Sequence, residues 1–226
     1  MAILKSQVFG SPLIGVYLEV NNEFAIYPNS IVKSTLKSFR EIFTNIKFYT
    51  LTINNSDLLG VYTASNRYGI IFPEILRDTE LEDFKNYIKN DNNSYEIGIL
   101  NSIDNAFGNL ILCNDHGAII SSLLRKNKQE IEDILNVETV VFDFANSYLV
   151  GSIGLANNKG CLVHPLATDD EIEFISDILK VETDVSTINR GIPYLSSSAA
   201  VNDEGGVFGK YSTGPEMMRL TNVLKL

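Results

Sequence analysis

Two pairs of cysteine and histidine are the residues of this sequence best suited to covalent chemistry. Cys113 precedes His116 and Cys161 precedes His164, and the members of each pair are three positions apart. An imidazole beside a thiol can take its proton and produce a thiolate nucleophile. Cys113 is expected to end a strand and His116 to lie in the following turn, so these two side chains need not converge. His164 stands before Pro165, and we interpret it as a structural residue at a strand end.

Two further motifs resemble ligand sites but have structural explanations. The glycine-rich run 205–209 lacks the lysine followed by Ser or Thr that completes a phosphate-binding loop, so we interpret it as a turn. Three acidic residues at 169–171 fall where a helix should begin, and negative charge is favourable there. The sequence therefore predicts no catalytic residue, no cofactor and no metal site. A basic cluster at 125–128 is interpreted as a solvated loop or, alternatively, as a contact for RNA.

The elements that would position these residues repeat five times along the chain. An asparagine-led turn between two apolar runs recurs at intervals of 45, 48, 43 and 45 residues, at Asn21, Asn66, Asn114, Asn157 and Asn202. A fixed period of this size indicates that one supersecondary unit is reused. In four of these turns a glycine follows three positions after the asparagine, which predicts a hairpin with glycine at positive φ.

Each unit is expected to contain a strand, the hairpin, a second strand, a helix and a third strand. The first strand, for example 58–64, carries a glycine at position 15, 60, 108 or 151, which indicates the close approach of another backbone. The second strand of the second unit, 70–72, is expected to stop at Pro73. Helix starts are predicted from capping boxes at Thr79…Glu82, Thr168…Glu171 and Thr213…Glu216. Third strands are predicted at 46–53, 95–100, 137–144 and 181–188.

The two ends of the chain complement one another. The fifth unit has no third strand, and an unpartnered strand is predicted at 3–9. We therefore predict a single α/β (α+β) domain over 1–226 with pseudo-five-fold symmetry, closed by the N-terminal strand, an arrangement that protects sheet edges. Its units are expected at about 10–53, 54–100, 101–144, 145–188 and 189–226.

The charge and composition of the chain disfavour several classes of function. The net charge is −10, from 18 basic and 28 acidic residues, which disfavours a broad nucleic-acid interface and suits a basic partner. Two cysteines are too few for a disulfide framework. No apolar run approaches the ~18 residues of a membrane span, and the N-terminus lacks the apolar core of a signal peptide. We expect a cytoplasmic, monomeric protein.

Five units of this kind resemble the pentein architecture, a five-bladed α/β-propeller used by amidine-processing enzymes and by the translation initiation factor 6 family. The sequence resembles the second group, in its archaeal form. The matching stretches are 66–73, 107–109 with 113–115, 149–152, 160–165, and 187–191 with 201–203. The pentein enzymes place their cysteine nucleophile near the C-terminus, where residues 194–200 of this chain contain no cysteine.

The resemblance implies a factor that binds the large ribosomal subunit and sterically prevents its association with the small subunit. Its partner would be a basic ribosomal protein beside the sarcin-ricin loop, with at most a minor rRNA contact and with neither DNA nor membrane. It also implies that the chain is not an enzyme. Two alternatives stay open: an amidinohydrolase-like or amidinotransferase-like enzyme, and a protein-binding scaffold unrelated to ribosomes.

The contact face is predicted where the first strands begin, because the loops there depart from the repeat and carry aromatic residues. The predicted contact residues are Val61, Phe107, Asn109, Tyr148 and Ser152. A bulky or charged residue at Asn109 is expected to weaken binding, whereas Phe107 and Tyr148 are alternatively core residues. The alternative contact face is that of the hairpins, with Asn66, Arg67, Asn114 and Asp115.

Overall fold

The computed structural model of the chain describes residues 2–90 and 95–226, so residues 91–94 of the second predicted unit lie outside the described residues. The elements in chain order are β1 (Ala2–Ser6), α1 (Ile14–Tyr17), β2 (Glu19–Val20), β3 (Phe24–Tyr27), α2 (Lys33–Ile42), β4 (Lys47–Thr50), α3 (Leu59–Tyr62), β5 (Ala64–Ser65), β6 (Gly69–Pro73), α4 (Asp78–Asn90), β7 (Glu96–Leu100), α5 (Phe107–Leu110), β8 (Ile111–Cys113), β9 (Gly117–Ile120), α6 (Lys128–Leu135), β10 (Glu138–Val141), α7 (Val150–Ile153), β11 (Gly154–Ala156), β12 (Gly160–Val163), α8 (Asp169–Leu179), β13 (Glu182–Val185), β14 (Ala199–Val201), β15 (Gly205–Gly209) and α9 (Gly214–Val223). Two 3₁₀ turns, Ser122–Asn127 and Ser196–Ser198, precede α6 and β14.

Within the described residues, the strands form five three-stranded sheets of one design in a mixed α/β protein. In each sheet the first and second strands are antiparallel and the third is parallel to the second, as in β5, β6 and β7. In the fifth sheet β1 takes the place of the third strand and pairs with β15 from Ala2↔Gly205 to Ser6↔Gly209. The predicted third strands and the predicted pairing of the N-terminal strand are confirmed. Pro73, predicted to stop β6, is its last residue.

The predicted first strands are wrong at their starts. The run 58–64 forms a four-residue helix, α3, and only Ala64 and Ser65 extend as β5. The equivalent segments of three other units likewise begin as the short helices α1, α5 and α7. Four residues are too few for a helical period to be visible, and packing around the glycine of each helix selects the conformation.

The glycines of the hairpin turns serve close packing rather than positive φ. Among the described glycines only Gly10 and Gly191 have positive φ, so the predicted left-handed conformation is wrong for the turns. A Cβ added at Gly69 would lie 2.2 Å from the carbonyl oxygen of Ile134, and one at Gly117 would lie 2.2 Å from that of Ile178. The helix of the next unit therefore contacts each of these turns directly.

The capping boxes at Thr168…Glu171 and Thr213…Glu216 are confirmed, with side-chain and backbone bonds in both directions. The box predicted at Thr79…Glu82 is wrong. Helix α4 begins at Asp78, and the carboxylate of Glu80 accepts the backbone N–H of Arg77 at 3.1 Å. The acidic residue is therefore present at this helix start but two positions earlier than predicted.

Apolar cores lie between consecutive units, because the helix of each unit packs against the sheet of the unit before it. Phe24 packs with Phe84 of α4, and Ile71 lies in one cluster with Ile131 of α6. The cycle returns to its start where Val207 of β15 shares a cluster with residues of α2. Hydrophobic burial thus ties all five units together. In the part of the chain that the structure describes, no helix is long and apolar enough to cross a bilayer.

Replacing Glu216 by Gln is expected to lower the free energy of unfolding at pH 7 by about 3 kcal/mol. Burial raises the pKa of Glu216, but hydrogen bonds from the backbone N–H groups of Thr213, Gly191 and Arg190 and from the Thr213 hydroxyl outweigh it and lower this pKa to about 2. The stabilisation is therefore complete above about pH 4.5, the pKa of this group in the unfolded chain, and is lost as pH falls toward 2.

Urea unfolding between pH 2 and 7 measures the loss of unfolding free energy, with Glu82→Gln as the exposed control. An equal loss at pH 2 and 7 would contradict an origin in the charge of Glu216.

Candidate protein-interaction face

Four short helices meet at the centre of the molecule through their glycines. A Cβ added at Gly60 would lie 1.8 Å from the carbonyl oxygen of Gly15, one at Gly108 would lie 1.9 Å from that of Gly60, and one at Gly151 would lie 2.4 Å from that of Gly108. Ser196 completes the series, because its hydroxyl donates to the Gly151 carbonyl at 2.6 Å and its own carbonyl lies 1.8 Å from a Cβ at Gly15. The predicted close approach of backbones at these glycines is confirmed, and their contacts form a closed cycle.

A cavity of about 110 Å³ is lined by these glycines and by polar residues that include Glu19, Ser65 and Cys113. The hydroxyl of Ser65 donates to the Glu19 carboxylate at 2.8 Å, and the Cys113 thiol donates to the Ser65 carbonyl at 3.4 Å. Burial raises the pKa of Glu19 to about 8, against the opposing hydrogen bonds from Ser65. Burial, together with the charges of Glu19 and Asp115, raises the pKa of the Cys113 thiol far above its usual range. Cys113 is therefore a protonated thiol at neutral pH and a poor nucleophile.

The asparagine turns close the opposite end of the molecule, which we call the hairpin face. Each asparagine amide donates to the carbonyl of the next asparagine, at 2.9 Å from Asn21 to Asn66, 3.3 Å from Asn66 to Asn114, 3.2 Å from Asn114 to Asn157, 3.1 Å from Asn157 to Asn202 and 3.4 Å from Asn202 to Asn21. Each side-chain oxygen also accepts two backbone N–H groups of its own turn, as at Asn66. The predicted asparagine turns are confirmed, the first included, and they form a closed cycle of hydrogen bonds.

A second polar layer lies directly after this asparagine cycle. The Asn22 amide donates to the carboxylates of Asp115 and Asp203 at 3.2 and 2.9 Å. The Asn158 amide donates to the same two carboxylates at 2.6 and 2.9 Å. Arg67 donates its backbone N–H to Asp115 and pairs its guanidinium with Glu23. The charged and amide groups of the hairpin face are thus engaged with one another.

Neither cysteine–histidine pair is arranged for thiolate catalysis. Cys161 is fully buried, and burial raises the pKa of its thiol to about 12. His164 accepts the backbone N–H of Leu166 at 3.0 Å, a structural contact, and burial lowers its pKa. His116 is exposed in its turn. Over residues 2–90 and 95–226, no group of three or more His, Cys, Asp or Glu side chains could hold a metal ion.

The end of the molecule opposite the hairpins is formed by two kinds of loop, and we call it the strand-start face. The first kind comprises the turns that lead into each short helix or 3₁₀ turn, at 8–13, 53–58, 101–106, 144–149 and 188–195. The second kind comprises the loops that follow the second strands. Because second and third strands are parallel, the loops at their carboxyl ends lie at the same end of the molecule.

Each turn of the first kind exposes an apolar side chain. Tyr148 is 55% exposed and Ile103 is 99% exposed, and Phe9, Leu58 and Tyr194 are also exposed in their turns. Phe9 has φ of 52°, a left-handed conformation that costs a bulky residue about 1 kcal/mol or more. Strain and solvent-exposed apolar area at the same loops are features of binding surfaces. We call these five side chains the inner apolar set.

A second group of apolar side chains, which we call the outer apolar set, lies in the loops that follow the second strands. Ile75, Leu123, Leu166 and Tyr211 are all exposed, and each lies six residues after the glycine of its hairpin turn. The same position in four units is therefore apolar and accessible to solvent. Among the described hairpin turns, Tyr68, 39% exposed, is the large apolar side chain that reaches solvent. The strand-start face is accordingly the apolar end of the molecule, and the hairpin face is the polar one.

The five predicted contact residues divide between surface and interior. Tyr148 is exposed, and Val61 and Asn109 are half-buried beside the central cavity. Phe107 is 0% exposed and belongs to a core cluster, so its prediction as a contact residue is wrong and its alternative as a core residue is right. Ser152 is buried and donates its hydroxyl to the Asn109 side chain at 2.9 Å, so it positions Asn109 rather than reaching the surface.

The basic cluster lies beside the strand-start face. Arg125 and Lys126 end the 3₁₀ turn that also carries Leu123, and both are exposed. Lys128 begins α6 and lies 3.8 Å from Glu132. The interpretation of this segment as solvent-exposed is confirmed.

A family model described as the eIF-6 family matches residues 3–223. The translation initiation factor 6 of Methanococcus vannielii is 37% identical over 225 residues, covering 99% of both chains. That of Methanocaldococcus jannaschii is 37% identical over 99% of this chain and 98% of its own. That of Staphylothermus marinus is 36% identical over 97% of this chain and 96% of its own.

Proposed function

Because this chain belongs to the eIF-6 family, we propose that it binds the large ribosomal subunit and sterically prevents the small subunit from joining it. It acts as a translation initiation factor, the name that its archaeal relatives carry. The observation that carries the proposal is the strand-start face, where all five units expose apolar side chains at one end of the molecule. Apolar side chains exposed together at one end of a molecule are typical of a protein-interaction site.

The mechanism is occlusion, which needs a rigid body and no covalent step. The units contact one another in a closed cycle through the asparagine amides at one end and through the glycine backbones at the other. A protein held together in this way keeps its shape when it binds one subunit. It then blocks the second subunit sterically. The raised pKa values of both thiols support assigning the chain no enzymatic reaction.

The partner is a basic ribosomal protein beside the sarcin-ricin loop. A net charge of −10 favours encounter with such a protein and disfavours extensive contact with RNA phosphates. The exposed Arg125 and Lys126, adjacent to the strand-start face, are the groups available for a minor rRNA contact. No membrane, DNA or cofactor has a part in this mechanism.

We also assign the chain to the pentein architecture, as one domain over 1–226 that functions as a cytoplasmic monomer. The cyclic contacts of five like sheets and the pairing of β1 with β15 support this assignment. Over the described residues the sheets are separate, so the cycle is closed by asparagine side chains and by backbone contacts of the short helices rather than by one continuous sheet.

Sucrose-gradient sedimentation tests the proposal. Archaeal small and large subunits are mixed under associating conditions with and without the purified protein. We expect the protein to comigrate with the large subunit and the peak of joined subunits to shrink. Protein that stays at the top of the gradient beside an unchanged joined peak would refute the proposed function.

Replacing Tyr148 by Glu is expected to weaken binding to the large subunit at least tenfold, because it places a carboxylate in the middle of an apolar contact. Asn109→Lys should also weaken binding, because it places a charged side chain at the mouth of the central cavity. Tyr68→Glu, the same substitution on the hairpin face, is the matched control and should bind normally. Melting curves establish that all three variants fold; weak binding by the Tyr68 variant alone would assign docking to the hairpin face.

A further inference from the structure

A groove of about 720 Å³ runs along β7 beside α6, and of its lining residues only Lys126 lies in a loop of the strand-start face. Its β7 side is lined by Glu96, Ile97, Gly98 and Ile99. The Ile134 side chain of α6 packs against Gly98 of this strand, where a Cβ would lie 2.0 Å from Ile134 Cδ1.

The outer edge of β7 presents unused backbone groups to this groove. The N–H of Glu96 donates to Tyr68 at 2.9 Å and so points toward β6. Backbone groups alternate in direction along a strand, so the N–H and C=O of Ile97 and Ile99 point away from β6. In the described part of the chain, β7 pairs with β6 only. An extended peptide could therefore add to this edge as a further strand.

The side chains around the groove define the chemistry of such a peptide. The carboxylates of Glu96, Glu130 and Asp133 line it, against the single ammonium group of Lys126. Ile99 is partly exposed on the face of β7 opposite to Gly98 and offers apolar contact beside the outer edge of the strand. Excess negative charge attracts lysine and arginine and repels nucleic-acid phosphates.

The groove is continuous with the strand-start face. Lys126 belongs to the 3₁₀ turn that carries Leu123 of the outer apolar set. The neighbouring Asn127 amide donates to the carbonyl of Asn101 at 3.2 Å, in the loop that exposes Ile103. A partner docked on the strand-start face could therefore continue into the groove without leaving the surface.

We propose that the groove between β7 and α6 binds an extended, lysine- and arginine-rich segment of the docked ribosomal protein by strand addition to Ile97–Ile99. This inference deepens the proposed function and rests on it for the source of the segment. The backbone edge supplies hydrogen bonds, and the three carboxylates select basic side chains.

Nuclear magnetic resonance titration of the ¹⁵N-labelled protein tests the site without ribosomes. The probe is the acetylated and amidated heptapeptide Lys-Val-Lys-Val-Arg-Val-Lys. The amide resonances of Ile97 and Ile99 are expected to shift, and N-methylation of alternate peptide amides should weaken binding at least tenfold. Unchanged Ile97 and Ile99 resonances at millimolar peptide, or equal binding of the methylated peptide, would overturn the proposal.

Ile97→Pro should also weaken peptide binding at least tenfold, because it removes an outward N–H that makes no bond to β6, a position where an edge strand tolerates proline. The matched control is Thr183→Pro at the equivalent position of β13, which should bind the peptide as wild type does. If Ile97→Pro fails to fold, Glu130→Lys gives the second test, with weaker peptide binding expected. Wild-type protein that binds the peptide but does not sediment with large subunits would refute the proposed function alone, and the converse would refute the groove alone.

Discussion

Gly60→Ala is expected to destabilise the protein by about 4 kcal/mol or more and to lower its Tm by roughly 10 °C. The added Cβ would lie 1.8 Å from the carbonyl oxygen of Gly15 and 2.5 Å from that of Leu18. Both obstacles are backbone atoms of the neighbouring unit, so no side-chain rotation relieves the overlap. The helices α1 and α3 must separate, and because the glycine contacts are cyclic, the displacement is shared around the centre of the molecule.

Gly214→Ala is the matched control for this substitution. Gly214 is the first residue of α9, and a Cβ there meets nothing within 4 Å outside its two chain neighbours. Alanine should change stability by no more than about 1 kcal/mol, since the reduced freedom of the unfolded chain offsets the cost of a helical alanine before Pro215. Calorimetry of both variants compares them directly. A Gly60→Ala protein that melts like wild type would mean that the central contacts are loose, contrary to a rigid occluding body.

Most features that depend on local sequence were predicted correctly, although the capping box at Thr79…Glu82 was not. The Asn66 turn follows from the ability of a short amide side chain to bond its own backbone, and the structure has that bond to Tyr68 and Gly69. The capping box of Thr213 and Glu216 is equally local. The pairing of β1 with β15 was also predictable. The last repeat lacks its third strand, and the other end of the chain has one strand without a partner, so the two are expected to pair.

Features that depend on contacts between units were missed or assigned the wrong cause. The residues of 58–64 favour extended structure and therefore predict a strand. Contact of Gly60 with the neighbouring backbone instead selects a helical turn. The sequence predicts a positive φ at Gly69, but its φ is not positive. Glycine is required there because the carbonyl of Ile134 leaves no room for a Cβ. In both cases the contacting residue belongs to another unit and is distant in the sequence, so local sequence patterns do not reveal it.

The candidate face was only partly predictable for the same reason. Phe107 and Tyr148 are both aromatic residues close to a short helix, but the first points into a core and the second into solvent. Sequence alone gives no basis to separate them. The outer apolar set could have been found, because aligning the units on their turn glycines places Ile75, Leu123 and Leu166 in one column. An apolar residue recurring in a loop, where polar residues are usual, is a signal of a binding surface.

Asn157→Ala is expected to cost about 4 kcal/mol of unfolding free energy, because it leaves several buried backbone groups without partners. The Asn157 amide donates to the carbonyls of Asn202 and Leu224 at 3.1 and 3.0 Å. Its side-chain oxygen accepts the N–H groups of Lys159 and Gly160 at 2.9 and 3.0 Å. One side chain thus joins its own turn, the next turn of the cycle and the end of α9. Equilibrium urea denaturation measures the loss.

Asn157→Asp separates the two functions of this side chain. Aspartate has the same shape and still accepts from Lys159 and Gly160, but above its pKa it has no proton to donate to the two carbonyls. The variant should therefore be destabilised at pH 7 and partly recover as acid protonates the carboxylate, because the protonated form again has one donor. Asn29→Ala, an exposed asparagine in a loop, is the control and should change stability by less than about 0.5 kcal/mol. If Asn157→Asp matched wild type at pH 7, the bonds between turns would contribute nothing, and apolar packing between the units would alone hold the five together.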